Sequence, residues 1–230
     1  MKSEQFLADM PIITKADIKK MLSCNDDYAY TVLNRLLNRN RIRKVVKGKY
    51  TSIDDIYVIS SNLHVPSYIS FWSASYLKGY TEQITRTVHV ASTGNYPAVE
   101  FENYRIEFHK IRKDIFFGYE KKRFGKHYAF IADDEKLLID SLLFQRNAGN
   151  PDEIIKIIKA AAINEEKMIM YLKRIDNVSL NKRAGFLLER YKGMDISGKV
   201  NAKDRNYVCL SLFDRSKKTD AKWRVKHDLP

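Results

Sequence analysis

NRNRIRKVVKGKYTS, residues 38–52, carries six Arg or Lys and no acid in fifteen positions. A disordered basic tail has no use for Ile42, Val45, Val46 and Tyr50, and a strand buried on both faces would not tolerate the cations. The pattern asks for one buried side and one side open to a negative partner. RIRKVV and KYTSI read as two short strands joined at Lys47 and Gly48, where a glycine adopts positive φ at no steric cost. In this reading Ile42, Val46 and Tyr50 pack inward, and Arg41, Arg43, Lys44, Lys47 and Lys49 face outward.

Working upstream, DDYAYTVLNRLLNRN places Ala29, Val32, Leu33, Leu36 and Leu37 on one face at helical spacing. The opposite face shows Asp27, Thr31, Asn34, Arg35 and Asn38, side chains that exchange hydrogen bonds with base edges or phosphates. An ordinary solvated helix face would look the same. Asn25 or Asp26 caps this helix. Before it, ADIKKML reads as a helix with Ile18, Met21 and Leu22 inward, started by Thr14 as N-cap with Asp17 three residues on. Ile12 and Ile13 read as a short extended piece after Pro11, and SEQFLADM as a first short helix. Helix, helix, turn, helix and basic hairpin within residues 1–60 is the order of a winged helix-turn-helix. In that fold the last helix enters the major groove and the wing lies along the phosphates.

The remainder, residues 61–230, reads as a second α+β domain. IDDIYVISSNL is a connection, and PSYISFWSASYLKGY a helix from Ser67 to Gly79 with Ile69, Trp72, Tyr76 and Leu77 inward. ITRTVHVAS, PAVEFENYRIEFHKI and KDIFFGYEKKRFGKHYAFIA suggest a small, mostly antiparallel sheet with turns near Asn95 or Asn103. Lys121, Lys122, Arg123 and Lys126 form a second basic cluster, on a loop or a hairpin tip. A helical block follows: ADDEKLLIDSLLFQRN with Asp133 or Asp134 as cap, PDEIIKIIKAAAI, INEEKMIMYLKRI and SLNKRAGFLLERYKG. VCLSLF and KWRVKHDL read as closing strands.

Composition sets the class. The chain has 230 residues, 44% hydrophobic and 12% aromatic, which is the make-up of a folded protein. Its formal charge of +13 attracts polyanions, and the cations group at the wing, at 121–126 and near the C-terminus. Between Lys199 and Lys226 nine basic residues stand against three acids. Cys24 and Cys209 lack any metal-ligand or disulfide spacing. MKSEQFLADM carries no apolar signal segment, so a cytoplasmic setting is expected.

Catalytic patterns are sparse. His64, His89, His109, His127 and His227 show no ligand spacing, so no metal is expected, and the glycines form no phosphate loop, so no cofactor is expected. Asp133, Asp134, Glu135, Lys136 and Asp140 are the best acid cluster, but helix capping accounts for its first members. Glu100, Glu102, Glu107 and Lys110 bear a faint likeness to a metal-dependent nuclease, and exposed strand alternation explains them as well. The chain is expected not to be an enzyme.

Three places carry a resemblance: the wing IRKVVKGKY, EKLLIDSL (135–142) and AGFLLE (184–189). With the helix-like PSYISFWSASYLKGY after the wing, the chain resembles the AbiEi family, the antitoxin and repressor half of the AbiE type IV toxin–antitoxin systems. The resemblance implies a transcriptional autorepressor acting on double-stranded DNA at repeats in its own promoter. It implies a functional partner, a nucleotidyltransferase-like toxin, opposed without a stable complex. The longest apolar runs are interrupted by charge, as in LLIDSLLF, so no membrane association is expected. The resemblance assigns DNA contact to Thr31, Asn34, Arg35 and Asn38 and to Arg41, Arg43, Lys44, Lys47 and Lys49. A different reading is an antitoxin or adaptor that binds a protein partner directly through the C-terminal domain.

Overall fold

The computed structural model describes residues 9–147, 151–211 and 218–230, in a mixed α+β fold with eight α-helices and three sheets among them. The first short helix expected at SEQFLADM falls largely outside the described residues. The chain forms two compact units interleaved in sequence. The first comprises residues 1–69, 85–110 and 121–131, and the second 70–84, 111–120 and 132–230. A single cut after residue 60, as the sequence suggested, falls inside a helix.

In the first unit, α1 (Lys15–Leu22) begins where the Thr14 side chain accepts from the Asp17 amide while Asp17 accepts from the Thr14 amide at 2.8 Å. This reciprocal cap satisfies two of the amides that a helix start leaves open. Helix α2 (Asp26–Asn38) starts at Asn25, whose side chain accepts from the Tyr28 amide at 2.9 Å. Ile13, Ile18, Ala29, Leu33 and Ile42 form the core between them, and Met21, Leu22, Val32, Leu36, Leu37 and Tyr50 pack against it. Each large aliphatic group so buried contributes about 1.5–3 kcal/mol.

The expected hairpin is present as β1 (Arg43–Val46) and β2 (Lys49–Thr51), with Gly48 at φ +79° in the turn. Ile13 and Tyr50 exchange both backbone hydrogen bonds, at 2.7 and 2.9 Å, adding the extended piece before α1 to the edge of β2. The pairing slips between Lys44↔Tyr50 and Val46↔Lys49, so Val45 is an extra, bulged residue. Val45 is buried while Val46 is only half-buried, so the inward assignment of Val46 moves to Val45.

The segment expected as a connection is helix α3 (Ile56–Leu63), started by Asp55, whose carboxylate accepts from the Tyr57 and Val58 amides. Next comes strand β3 (Ser67–Ile69), which corrects the helix expected from Ser67 to Gly79. Ser67, Tyr68 and Ile69 are consecutively buried because β3 lies inside a six-stranded sheet, flanked by β4 (Thr87–Ser92) and β8 (His127–Ala132). The sheet order is β5-β6-β4-β3-β8-β7, with β5 Val99–Phe101, β6 Tyr104–Lys110 and β7 Tyr119–Phe124. It is mixed rather than mostly antiparallel: β3 pairs β8 and β4 pairs β6 in parallel. Strand β5 sits outside β6, so the short β5–β6 hairpin returns the chain beside β4 running the same way.

In the second unit the surviving part of the aromatic-rich helix is α4 (Phe71–Leu77), with Phe71, Ser73, Ala74 and Ser75 buried and Trp72 and Tyr76 half-buried. Helices α5 (Asp134–Leu143), α6 (Pro151–Ala160), α7 (Glu165–Ile175) and α8 (Val178–Lys192) follow as expected, α5 capped by Asp133 and α8 ending at Gly193 with φ +65°. Strands β9 (Val208–Cys209), β10 (Lys218–Asp220) and β11 (Val225–His227) make a three-stranded sheet. The end of VCLSLF lies outside the described residues. No helix among the described residues is long and apolar enough to cross a membrane.

Candidate nucleic-acid interface

Seven cations and no acid fall between Tyr28 and Ile53, and the fold divides the cations into two groups. Arg43 and Lys49 are held inside the first unit. The Arg43 guanidinium pairs with Asp54 at 2.7 Å and with Glu102, donates to the Ile53 carbonyl, and lies 5.6 Å from the Phe101 ring centroid. Lys49 donates to the Leu63 carbonyl and sits 3.3 Å from His64 Nδ1, and burial lowers its pKa. Outward projection, expected for both, is therefore corrected: β1 is covered on the side of β5 as well as on the side of the helices, so one side of the hairpin carries no free cation.

Arg35, Arg39, Arg41, Lys44 and Lys47 form the second group. All five are exposed, and none takes an ion-pair partner among the described residues. They run from the last turns of α2 through the connecting turn into β1 and the hairpin tip. On α2 itself, Asn38 is exposed and Asn34 half-buried, and the Thr31 hydroxyl donates to the Asp27 carbonyl at 2.9 Å. Tyr28 and Tyr30 add two exposed aromatic rings near the helix start, a feature that sequence reasoning missed because a tyrosine fits the apolar and the polar face of a helix equally well. Lys15 and Lys19 on α1 are neutralised by Asp26, whose carboxyl their hydrogen bonds hold down to about 2.

The second basic cluster is also exposed. Lys121, Lys122 and Arg123 lie on β7, an edge strand of the six-stranded sheet, and Lys126 in the turn after it. Lys121 Nζ stands 3.9 Å from the Tyr128 ring centroid, and Arg123 Nε donates to the Gly125 carbonyl at 2.8 Å. Lysines along an edge strand also guard it against pairing with another chain, so this cluster has a structural use of its own.

The C-terminal cations are more fully engaged. Lys199 pairs with Glu165, Lys222 with Glu189 and Asp195, and buried Lys182 with Asp204. Arg224 and Lys218 donate to the Asp204 and Leu229 carbonyls. The same unit holds a cleft of ≈ 640 Å³ lined by Lys78, Asp133, Asp134, Glu135 and Lys167 among others. Burial raises the Asp133 carboxyl, against hydrogen bonds from the Lys136 amide, Tyr171 and Lys167. Burial pushes Asp134 the same way, but Lys78 and Tyr80 outweigh it and hold that carboxyl low. Tyr171, buried and bonded to Asp133, is pushed up to about 12. Glu135 accepts from the Asn164 amide at 2.8 Å and pairs with Lys167 at 2.7 Å. Each acid thus anchors a cation or the start of a neighbouring helix, which is a network that fixes α5 against α7.

The two short motifs of the resemblance are structural in this fold. Lys136 and Asp140 form a fully buried ion pair one turn apart, and Asp140 also accepts from Ser70 at 2.7 Å. Gly185 underlies Trp223, and Glu189 accepts from the Trp223 indole at 2.6 Å. No family model matches the chain, and no curated protein matches it.

Proposed function

We propose that the chain is a DNA-binding transcriptional autorepressor whose N-terminal residues form a winged helix-turn-helix, with α2 as the reading helix and the β1–β2 hairpin as the wing. The observation that carries this reading is the acid-free run from Tyr28 to Ile53 with five exposed, unpaired cations. Phosphate contacts from such a run supply affinity and salt dependence, and side chains on α2 supply base choice. Asn34, Arg35 and Asn38 are the base-reading candidates, with Thr31 and the exposed Tyr28 and Tyr30 at the end of the helix that enters a groove first. Arg41, Lys44 and Lys47 are the wing contacts. Arg43 and Lys49 support the wing from within. The backbone pairing of Ile13 with Tyr50 favours the same reading, because it gives the hairpin a third extended partner.

The antitoxin role is proposed with it, on the AbiEi resemblance, with a nucleotidyltransferase-like toxin encoded beside this chain as the functional partner. The test is a fluorescence-anisotropy titration of the full chain against its own upstream DNA and a scrambled duplex, at two salt concentrations. Tighter binding to the upstream DNA at both salts supports a repressor; equal or absent binding overturns it.

A second reading is favoured by the C-terminal unit. With Lys199 and Lys222 already paired to acids, this unit offers less to a polyanion, and Met170 stands 57% exposed at its cleft. An antitoxin or adaptor that grips a protein partner directly would use such a surface. A stable stoichiometric complex with the neighbouring gene product in an affinity pull-down decides for it.

A further inference from the structure

Strands β4 and β6 run parallel, with His89 opposite Glu107 and Ala91 opposite His109. Glu107 and His109 are two residues apart on β6, so their side chains leave the same face of the sheet. His89 joins them from the neighbouring strand. His89 Nδ1 lies 2.9 Å from His109 Nε2 and 3.9 Å from Glu107 Oε2. One donor atom from each of the three falls within 4.8 Å of the others, and all three residues are half-buried.

We infer that His89, Glu107 and His109 form a binding site for a divalent transition-metal ion of the zinc type. Two imidazole nitrogens and one carboxylate oxygen are a borderline donor set that Zn²⁺ and Co²⁺ take readily, whereas Ca²⁺ and Mg²⁺ demand oxygens. Metal–ligand bonds of about 2.0–2.2 Å in tetrahedral array put donor atoms roughly 3.3 Å apart. The observed separations bracket that value, so small side-chain rotations close the site. Glu107 is already oriented: its other oxygen accepts from Arg105 Nε at 2.7 Å, an outer contact of the kind that holds ligating carboxylates in place. Three protein ligands leave a fourth position for water or for a group brought by a partner.

A hydrogen-bonded imidazole pair without metal is the competing account. It explains the contact between the two rings, but it needs no carboxylate at the register position beside them. The metal account uses all three groups. It also makes the ion a clip between β4 and β6, adjacent interior strands of the six-stranded sheet.

The test uses the full chain stripped with a chelator and titrated with Co²⁺, followed by visible absorption and thermal melting. One saturable equivalent with ligand-field bands and a raised Tm is expected. His89→Ala and His109→Ala should each abolish it, Glu107→Gln should weaken it at least about tenfold, and His127→Ala on β8 should leave it unchanged. X-ray absorption of the Zn²⁺-loaded wild-type chain should count two imidazoles and no sulfur, and this reading decides the matter if a histidine variant fails to fold. Non-saturable binding, binding unaffected by both histidine variants, or thiolate ligation by Cys24 or Cys209 would overturn the site.

Discussion

The indole of Trp223 lies directly over Gly185, so close that a Cβ on Gly185 would fall 2.2 Å from the ring. Gly185 stands in the middle of α8, where glycine costs about 1 kcal/mol relative to alanine, so its presence needs a packing reason. Trp223 is that reason, and its indole N–H completes the contact by donating to Glu189 one turn further along. Gly185→Ala should therefore destabilise the protein despite the better helix propensity, because overpacking costs about 1–3 kcal/mol. Urea unfolding checks this. A second change, Trp223→Leu, should relieve part of the destabilisation in the Gly185→Ala background; a fully additive pair would refute the ring as its cause.

Lys136 and Asp140 make a second prediction. Both are fully buried, one turn apart on α5, and Ser70 donates to the carboxylate. Removing one charge leaves the other stranded in a poor solvent, at about 3–5 kcal/mol. Lys136→Met or Asp140→Leu alone should cost that much in denaturant unfolding. The double variant should cost clearly less than the sum, since an apolar pair of similar volume leaves no stranded charge. Strict additivity would mean the pair is not coupled.

Legibility in the sequence followed distance along the chain. The Thr14–Asp17 cap, the Asn25 and Asp133 caps and the Gly48 turn rest on partners at most three residues away; the sequence shows the first and last directly and narrows the other two to Asn25 or Asp26 and Asp133 or Asp134. Strand β3 reads as helix because Ser67, Tyr68 and Ile69 are all buried in an interior strand between β4 and β8, so no period-two alternation marks it. The same limit applies to the candidate interface. Arg43 looks like any other hairpin cation until Glu102 arrives from 59 residues away, and Lys49 until the chain folds back at Leu63. His89 and His109, twenty residues apart, meet only through a parallel register that alternation cannot reveal.

His64 supplies a pH prediction. Its ring stacks on Tyr96 with centroids 3.9 Å apart, and burial first and the Lys49 charge second lower its pKa to about 4. An unfolded histidine titrates near 6.5, so between those values the unfolded chain binds a proton that the folded one does not. Stability contributed by neutral His64 is thus present above about pH 6.5 and lost as pH falls toward 4. Lys49→Met should raise the His64 pKa without restoring 6.5, because burial remains. An imidazole NMR titration reads both values, and an unchanged pKa in the variant would remove Lys49 as a cause.

Variants of the β1–β2 hairpin, the proposed wing, separate two kinds of cation. Arg41, Lys44 and Lys47 are exposed and unpaired, so replacing them with alanine should weaken binding to every duplex while leaving stability within about 0.5 kcal/mol. The slope of log K against log salt should flatten by about 0.9 for each phosphate that is no longer neutralised. Arg43→Ala should do the reverse. It removes the partner of Asp54 and Glu102 and the donor to the Ile53 carbonyl, and it should lower stability by about 1–2 kcal/mol. Its salt slope should stay nearly that of the wild-type chain, because the Arg43 guanidinium is already engaged by Asp54, Glu102 and the Ile53 carbonyl. Parallel anisotropy and urea measurements on the two variants decide the matter. If Arg43→Ala flattened the slope as the exposed triple variant does, the hairpin would have to reorganise on binding and free its inner cation. If the triple variant bound as tightly as wild type, this surface would not be the one that meets DNA.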